Sequence, residues 1–261
     1  MKNIQEYNSN AWDKQVLGGE SEWTKPVTRE DIARARDGLF SIVLTPNIPV
    51  PRAWFPQDLK GAEILCLASG GGQQAPILAA AGANVTSFDN SAQQLAQDRF
   101  VADRDGLSIR YEKGDAADLS RFPDESFDLI WHPCSNCFMP ELQPIWNESY
   151  RVLRSNGSLL SGFSNGFLFI FDRIKDEEEG ILEAKYSLPY SDARDLSEEE
   201  RSEYIDNNEP LEFGHTLDQQ IGGQIKAGFT ISGFFEDHWS DEATALNKHC
   251  ATFIATKADK L

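Results

Sequence analysis

The residues able to do chemistry fall into four short stretches. The first is Ser69-Gly70-Gly71-Gly72-Gln73, which follows the apolar run Ile64-Leu65-Cys66-Leu67-Ala68. Three glycines let a backbone turn sharply and lie close to a ligand, because no Cβ stands in the way. The helix that follows, predicted from about Gln73 to Ala81 and stopped by Gly82, would aim its free N–H groups at whatever sits on the loop. The second is Asp89, at the end of the strand-like Ala83–Asp89 and 17 residues beyond Gly72. An acid there accepts hydrogen bonds from ribose hydroxyls, although it also suits capping the next helix. The third is Gly114-Asp115-Ala116, after an alternating run over 107–113. The fourth is His132-Pro133-Cys134, after the apolar Phe127–Trp131. An imidazole titrates near neutral pH, so His132 is the best-placed candidate base, unless it only shapes the pocket. Cys134-x-x-Cys137 is half a zinc site at most, since no second Cys pair or spaced His pair completes four ligands, and no metal is expected.

These stretches need a scaffold, and the order of elements supplies one. Strands are expected over 63–67, 83–89, 107–113, 126–131, 158–163, 229–235 and 251–257, and most are separated by helical stretches. Ser91-x-x-Gln94 reads as a capping box opening a helix that ends near Gly106. A helix over about 142–153 carries Trp146, Tyr150 and Leu153 on one face, and Asn156-Gly157 turns into the next strand. Such alternation predicts an α/β fold, a parallel sheet with helices on both faces.

Four parts are distinguished. Residues 1–60 form an aromatic-rich, helical and irregular N-terminal cap, with a helix capped by Thr28 and stopped by Gly38, and with four prolines between 46 and 56 forcing an extended path. It is read either as a lid or as an extension packing through Trp12, Trp23 and Trp54. Residues 61–171 form the nucleotide-binding core. Residues 172–212 form an acidic helical insertion, with fifteen acids against five Lys/Arg and a capping box at Ser197-x-x-Glu200. Residues 213–261 complete the core, with a helix capped by Thr216-x-x-Gln219 and ending at Gly228.

Among 261 residues the net charge is −18, which repels phosphate backbones and argues against a nucleic-acid partner. No apolar run approaches the roughly 20 residues that span a membrane, and the start lacks an apolar leader. Four scattered cysteines form no disulfide framework, so a reduced, cytoplasmic chain is expected.

Taken together the motifs resemble the class I S-adenosylmethionine (SAM)-dependent methyltransferases. Leu65-Cys66-Leu67-Ala68-Ser69-Gly70-Gly71-Gly72 stands where that family has an apolar strand with an acid and then Gly-x-Gly-x-Gly. Asp89, Gly114-Asp115-Ala116, Phe127–Ile130, Tyr150–Leu160, Ala227-Gly228-Phe229 and Phe253–Lys257 match later motifs in order. Two positions depart: Cys66 replaces the acid and Ala68 the first glycine. With Asn10-Ala11-Trp12-Asp13, the Cys66 variant suggests a bacterial branch. The resemblance implies a Rossmann-like seven-stranded sheet with an antiparallel last strand, and SAM as cofactor. It implies that Ala68, Ser69, Gly70, Gly72 and Gln73 line the methionine part, that Asp89 holds the ribose with Asn90 beside the adenine, that Asp115 and Ala116 hold the adenine edge, and that His132 borders the sulfonium.

The acceptor pocket is expected from Trp12, Trp23, Asn136, Phe138, Ser164 and Asn165. Its aromatics and neutral amides suit a small or medium-sized organic molecule. Methyl transfer from a sulfonium is a direct displacement, so the protein mainly supplies alignment and a dry pocket. Pro133-Cys134 sits where cytosine-C5 methyltransferases keep a nucleophile, but no basic cluster supports a thiolate there. Two alternatives stand beside the enzyme reading: a non-catalytic SAM-binding protein, and a nicotinamide-dependent oxidoreductase, since Gly70-x-Gly72-x-x-Ala75 also fits a dinucleotide fingerprint. The state is expected to be monomer or homodimer.

Overall fold

Strand β1 (Glu63–Leu67) is the centre of the molecule. Ile64, Leu65, Cys66 and Leu67 are all solvent-inaccessible, as an interior strand covered on both faces requires. The computed structural model describes residues 3–19, 21–240 and 242–261. Around β1 lie β2 (Asn84–Asp89), β3 (Ile109–Lys113), β4 (Phe127–His132), β5 (Leu153–Ser164), β8 (Thr230–Asp237) and β9 (Phe253–Asp259), in the order β3-β2-β1-β4-β5-β9-β8. The first five run parallel, while β9 lies antiparallel to both β5 and β8. This is the seven-stranded Rossmann-like sheet with an antiparallel last strand.

Two apolar cores flank the sheet. One packs Ile64, Cys66, Val85, Leu129, Trp131 and Leu160 against Ile32, Ala35, Leu44 and Phe55 of the N-terminal part and Leu78 and Val101 of the helices. The other packs Leu65, Leu67, Phe88, Ile130 and Leu159 against Ile145, Trp146 and Val152. Helices α3 (Gln74–Ala80), α4 (Ala92–Asp105), α5 (Gln143–Val152) and α8 (Gly223–Ala227) supply much of this cover. Ser91 caps α4 through the Gln94 N–H at 3.1 Å, and Gly106 ends it in the left-handed conformation.

Three expectations need correction. Residues 1–60 carry a helix beyond the one expected after Thr28: Ile4–Gly18 forms α1, capped by Asn3, before α2 (Arg29–Arg36). Its sequence is mostly polar, and it is held by tertiary hydrogen bonds rather than a wide apolar face. The Asp13 carboxylate accepts from Ser91 Oγ at 2.6 Å and from the Gln93 N–H at 3.0 Å, so α1 also caps α4. Next, Asn156-Gly157 does not precede the fifth strand but lies inside it, with Asn156 at φ 67°. The 172–212 segment is helical only in part. It contains α6 (Asp192–Asp195) and α7 (Glu198–Asp206), the latter with the Ser197/Glu200 capping box, but β6 (Tyr190–Ser191) pairs with β7 (Phe213–Gly214) to fasten its end.

Candidate functional site

The glycine loop between β1 and α3 is tied down by four backbone N–H groups. The Ala68 N–H donates to Phe88 O at 2.8 Å and the Gly71 N–H to Gln94 O at 3.0 Å. The Gly70 N–H donates to Asp89 Oδ2 at 3.0 Å, and the Gly72 N–H to Asp98 Oδ1 at 2.7 Å. Gly71 shows why glycine is needed: its φ is 113°, and a Cβ there would stand 2.6 Å from Trp23 O. Ala68, at the family's first glycine, adopts φ 48°, so this backbone keeps a glycine-favouring conformation without the glycine.

The N-terminal part closes over the outside of this loop. Gln73 Nε2 donates to Glu22 O at 2.9 Å and Lys25 O at 3.1 Å, and the Val27 N–H donates to Gly72 O at 2.9 Å. Ser9 Oγ donates to Asn90 O at 2.6 Å. Asn8, almost wholly buried, donates to Phe138 O and Leu211 O and accepts from the Leu211 N–H. Helix α1 thereby joins the end of β2, the turn after β4 and the end of the acidic insertion.

These elements enclose a cavity of about 1220 Å³. One end is lined by Ala68, Ser69, Gly70, Gln73, Asp89, Asn90, Asp115 and Ala116, and by Gln94 from α4. The same cavity continues past Trp12, Trp23, Phe138 and Ser164 to Phe169, Arg173, Tyr190, Tyr204 and Glu212 of the insertion. Trp12 meets Phe138 edge-on at 5.0 Å, and Tyr186 lies 4.9 Å from Tyr190, so aromatic rings stand among the many acidic side chains of this second end.

Four sequence-predicted site residues do not reach the cavity wall. Gly72 spends its N–H on Asp98 and its carbonyl on Val27. His132 is solvent-inaccessible: Nδ1 lies 3.0 Å from Leu67 O and Nε2 lies 2.7 Å from Asn136 Oδ1. Burial, partly offset by those two contacts, lowers its pKa below the usual histidine value. It sits behind the cavity lining, which corrects its expected position as a candidate base at the sulfonium. Asn136 is equally buried and donates to Gln220 Oε1 at 2.8 Å. Asn165 shapes its own loop, donating to Ala251 O at 2.9 Å and accepting from the Phe167 N–H at 3.1 Å.

The sequence reading missed several groups. Asp98 reaches the loop from α4, and its partner Gly72 lies 26 residues away, beyond any local motif. Gln94 was read only as a helix-capping residue, and Asn8, Arg173 and Glu212 had no signal stronger than a polar residue in a polar stretch.

Two carboxyl groups beside the loop are raised by burial. Asp89 is pushed up to about 6, against the lowering effect of the Ser91, Gly70 and Asn90 N–H groups. Asp98 is pushed up to about 7, against Ser87 and Gly72, with Asp89 adding to the rise. A folded-state pKa above the unfolded value gives stability that is complete at low pH and lost as pH rises through the folded pKa. Asp98 should therefore lower stability progressively between pH 3.8 and about 7. The groups facing it are Cys66 on β1, Asp89 on β2 and Tyr111 on β3. His132 and His215, both lowered, act in the opposite sense. The difference between wild type and Asp98→Asn isolates the effect. Urea unfolding at pH 5 and 7.5 should show wild type losing stability relative to the variant as pH rises, at about 1.4 kcal/mol per pH unit at most. A pH-independent difference would contradict the assignment.

The cofactor that the fold implies can be tested against these residues. Ser69 Oγ is buried at the cavity edge and has no hydrogen-bond partner among the described residues. The carboxylates of Asp89 and Asp115 also line that end, where an adenosyl ribose and a base edge need acceptors. The residues fit SAM.

Comparison with known proteins agrees. A family model described as "Methyltransferase domain" matches residues 65–161. An uncharacterized methyltransferase of Bacillus subtilis, YbaJ, is 50% identical over 255 residues, covering 98% of each chain. A sterol 24-C-methyltransferase of Neurospora crassa is 33% identical over 104 residues, which is 39% of this chain and 27% of that enzyme. Among solved structures, a SAM-dependent methyltransferase from Mesorhizobium loti superposes with a TM-score of 0.61 at 18% identity, over 79% of this chain and 94% of that one.

Proposed function

The chain belongs to the class I SAM-dependent methyltransferases, and from that premise we propose that it methylates a small or medium-sized organic acceptor by direct displacement. The observation that carries this reading is the single cavity running from the glycine loop to the insertion. It offers an acceptor a seat on the far side of the cofactor end, screened by α1 and by residues 172–212.

Bound SAM supplies a methyl group already activated by the positive charge on sulfur. The residues of the chain do the rest. Ala68, Ser69, Gly70 and Gln73 line the methionine end, Asp89 accepts from the ribose with Asn90 beside it, and Asp115 and Ala116 take the adenine edge. Gly72 and His132 act from behind, Gly72 by fixing the loop and His132 by bracing the end of β4 against β1. Trp12, Trp23, Phe138 and Ser164 face the acceptor, while Asn136 and Asn165 shape the turns that carry them. Exclusion of water by these aromatic walls favours displacement over hydrolysis.

The charge balance of the acceptor end narrows the substrate. Its two cations are both paired: Arg173 with Glu177 at 2.7 Å, and Lys185 with Asp172 at 3.1 Å and Glu200 at 3.0 Å. The Glu212 carboxylate lines the same end and has no hydrogen-bond or ion-pair partner among the described residues. A neutral or basic acceptor fits this surface, and an anionic one is repelled. Burial pushes Glu212 up to about 7, against the lowering effect of Arg173. It is the cavity carboxylate suited to take a proton from an acceptor near neutral pH. Glu212→Gln should reduce turnover by about a hundredfold to ten-thousandfold while leaving S-adenosylhomocysteine binding unchanged. A variant of full activity would remove Glu212 from that role.

Family membership displaces the nicotinamide oxidoreductase. Calorimetric titration with SAM, S-adenosylhomocysteine and NAD should show binding of the two adenosyl ligands alone. Production of S-adenosylhomocysteine from SAM across matched neutral, amine and carboxylate acceptors then tests the rest. Turnover with neutral or amine acceptors is expected. Turnover confined to carboxylates would reverse the acceptor assignment, and SAM binding without turnover on any acceptor would favour a non-catalytic binding protein. The described residues contain no helix long and apolar enough to cross a membrane.

A further inference from the structure

One carboxylate beside the glycine loop does work that neither a motif nor a cavity wall reveals. Asp98 is solvent-inaccessible on α4, and both of its oxygens are engaged. Oδ1 accepts from the Gly72 N–H at 2.7 Å, and Oδ2 accepts from Ser87 Oγ at 2.5 Å. Ser87 on β2 is the register partner of Cys66 on β1. Cys66 is itself solvent-inaccessible, and its thiol is held well above the ordinary cysteine value by burial and by the Asp98 charge. The space beneath the loop thus holds one carboxylate from the helix, one hydroxyl from β2 and one neutral thiol from β1. Cys66 occupies the position where the family carries an acid on the strand, and a thiol is too weak an acceptor to replace one.

We infer that Asp98 is the positioning residue that fixes the SAM-binding glycine loop, and that it does so in exchange with position 66. The Gly72 end of the loop takes its buried carboxylate either from the helix or from β1, and with Asp89 already on Gly70 it has room for one more such charge. Two carboxylates there would both be desolvated and would repel each other, and no cation among the described residues pairs with Asp98. With neither, the Gly72 N–H would be left buried and unpaired. The neutral thiol at Cys66 is then the consequence of having Asp98, and not a defect in the cofactor site.

The test is a mutant cycle read by S-adenosylhomocysteine calorimetry, thermal unfolding and hydrogen exchange at the Gly72 amide. Asp98→Ala should weaken S-adenosylhomocysteine binding by about tenfold or more and speed exchange at Gly72, because a buried donor loses its acceptor. Asp98→Asn keeps an acceptor oxygen for Gly72 and should restore most of that affinity. Cys66→Asp alone should lower the melting temperature and weaken binding. The double variant Cys66→Asp with Asp98→Ala should bind more tightly and melt higher than either single variant. A merely space-filling Asp98 would not give that reversal of sign. Wild-type affinity in Asp98→Ala, simple additivity in the cycle, or a double variant worse than both singles would each overturn the inference. If Asp98→Ala does not fold, the double variant decides: folded and binding, it carries the exchange; unfolded, it removes it.

Discussion

Replacing Asp89 by alanine should weaken SAM binding by more than about tenfold, because two kinds of charge-assisted hydrogen bond are lost together. The first kind is internal. Asp89 Oδ1 accepts from the Ser91 N–H at 2.9 Å and Oδ2 from the Gly70 N–H at 3.0 Å, so the carboxylate joins the glycine loop to the start of α4. The second kind is with the ligand, since each carboxylate oxygen can accept a second hydrogen bond and Asp89 lines the cavity. Removing the carboxylate loosens the loop and takes away the ribose acceptors in one step. Calorimetry with SAM and with S-adenosylhomocysteine measures it, and circular dichroism checks that the fold persists. The pKa of about 6 adds a second signature. The ionised form is the better acceptor, so wild-type affinity should rise as pH is raised through that value, and the variant should lack this component. Affinity within about twofold of wild type, against a loss of at least one charge-assisted bond, would put the ribose elsewhere.

Replacing Gly71 by alanine should destabilise the protein by about 2 to 4 kcal/mol, the range for backbone strain combined with overpacking. For a chain of this size that corresponds to a fall in melting temperature of roughly 6 to 12 °C. Two independent effects add. The φ of 113° is one that L side chains rarely adopt, and the new Cβ would meet Trp23 O at 2.6 Å and Gln94 Oε1 at 3.0 Å. Trp23 O belongs to backbone held by the Gln73 side chain on either side of it, at Glu22 and Lys25, so it cannot simply withdraw. The N-terminal strap should lift from the loop, and cofactor binding should fall with it. Differential scanning calorimetry with and without S-adenosylhomocysteine reads both effects. A melting temperature unchanged in Gly71→Ala would mean that the strap is not seated on the loop.

The scaffold was legible in the sequence because its signals are local. Ile64-Leu65-Cys66-Leu67 reads as a strand buried on both faces without knowledge of its neighbours, and Ser91 with Gln94 marks the start of α4 within four residues. The cavity end proposed for the cofactor was legible only in its placement: Ser69, Gly70, Asp89 and Asp115 follow or end predicted strands and line one end of the cavity. What escaped depends on pairs distant in sequence. Helix α1 is stabilised by Asn8 reaching Leu211 and by Asp13 reaching Ser91, and no periodicity encodes such contacts. Asp98 looks like one more acid on a solvated helix until Gly72 is brought beneath it. His132 was expected on the cavity side because a residue at the end of β4 so often faces a ligand. Its ring instead turns back between Leu67 and Asn136, and sequence alone carries nothing about that rotation.

The order β5-β9-β8 also sets constraints on how the chain reaches its folded state. Strand β8 precedes β9 in the chain, yet within the sheet its ladder partner is β9, and β5 gains its second neighbour only when β9 arrives. Until β9 docks, β5 presents an open row of N–H and C=O groups over the seven residues Ser158–Ser164 that it pairs with β9. Loss of the β9 ladder would therefore expose this edge of β5 as a template for pairing with another chain. The chain should be most prone to self-association at that stage of folding, and an adenosyl ligand at the seat proposed for it on β1, β2 and β3 should offer little protection against it.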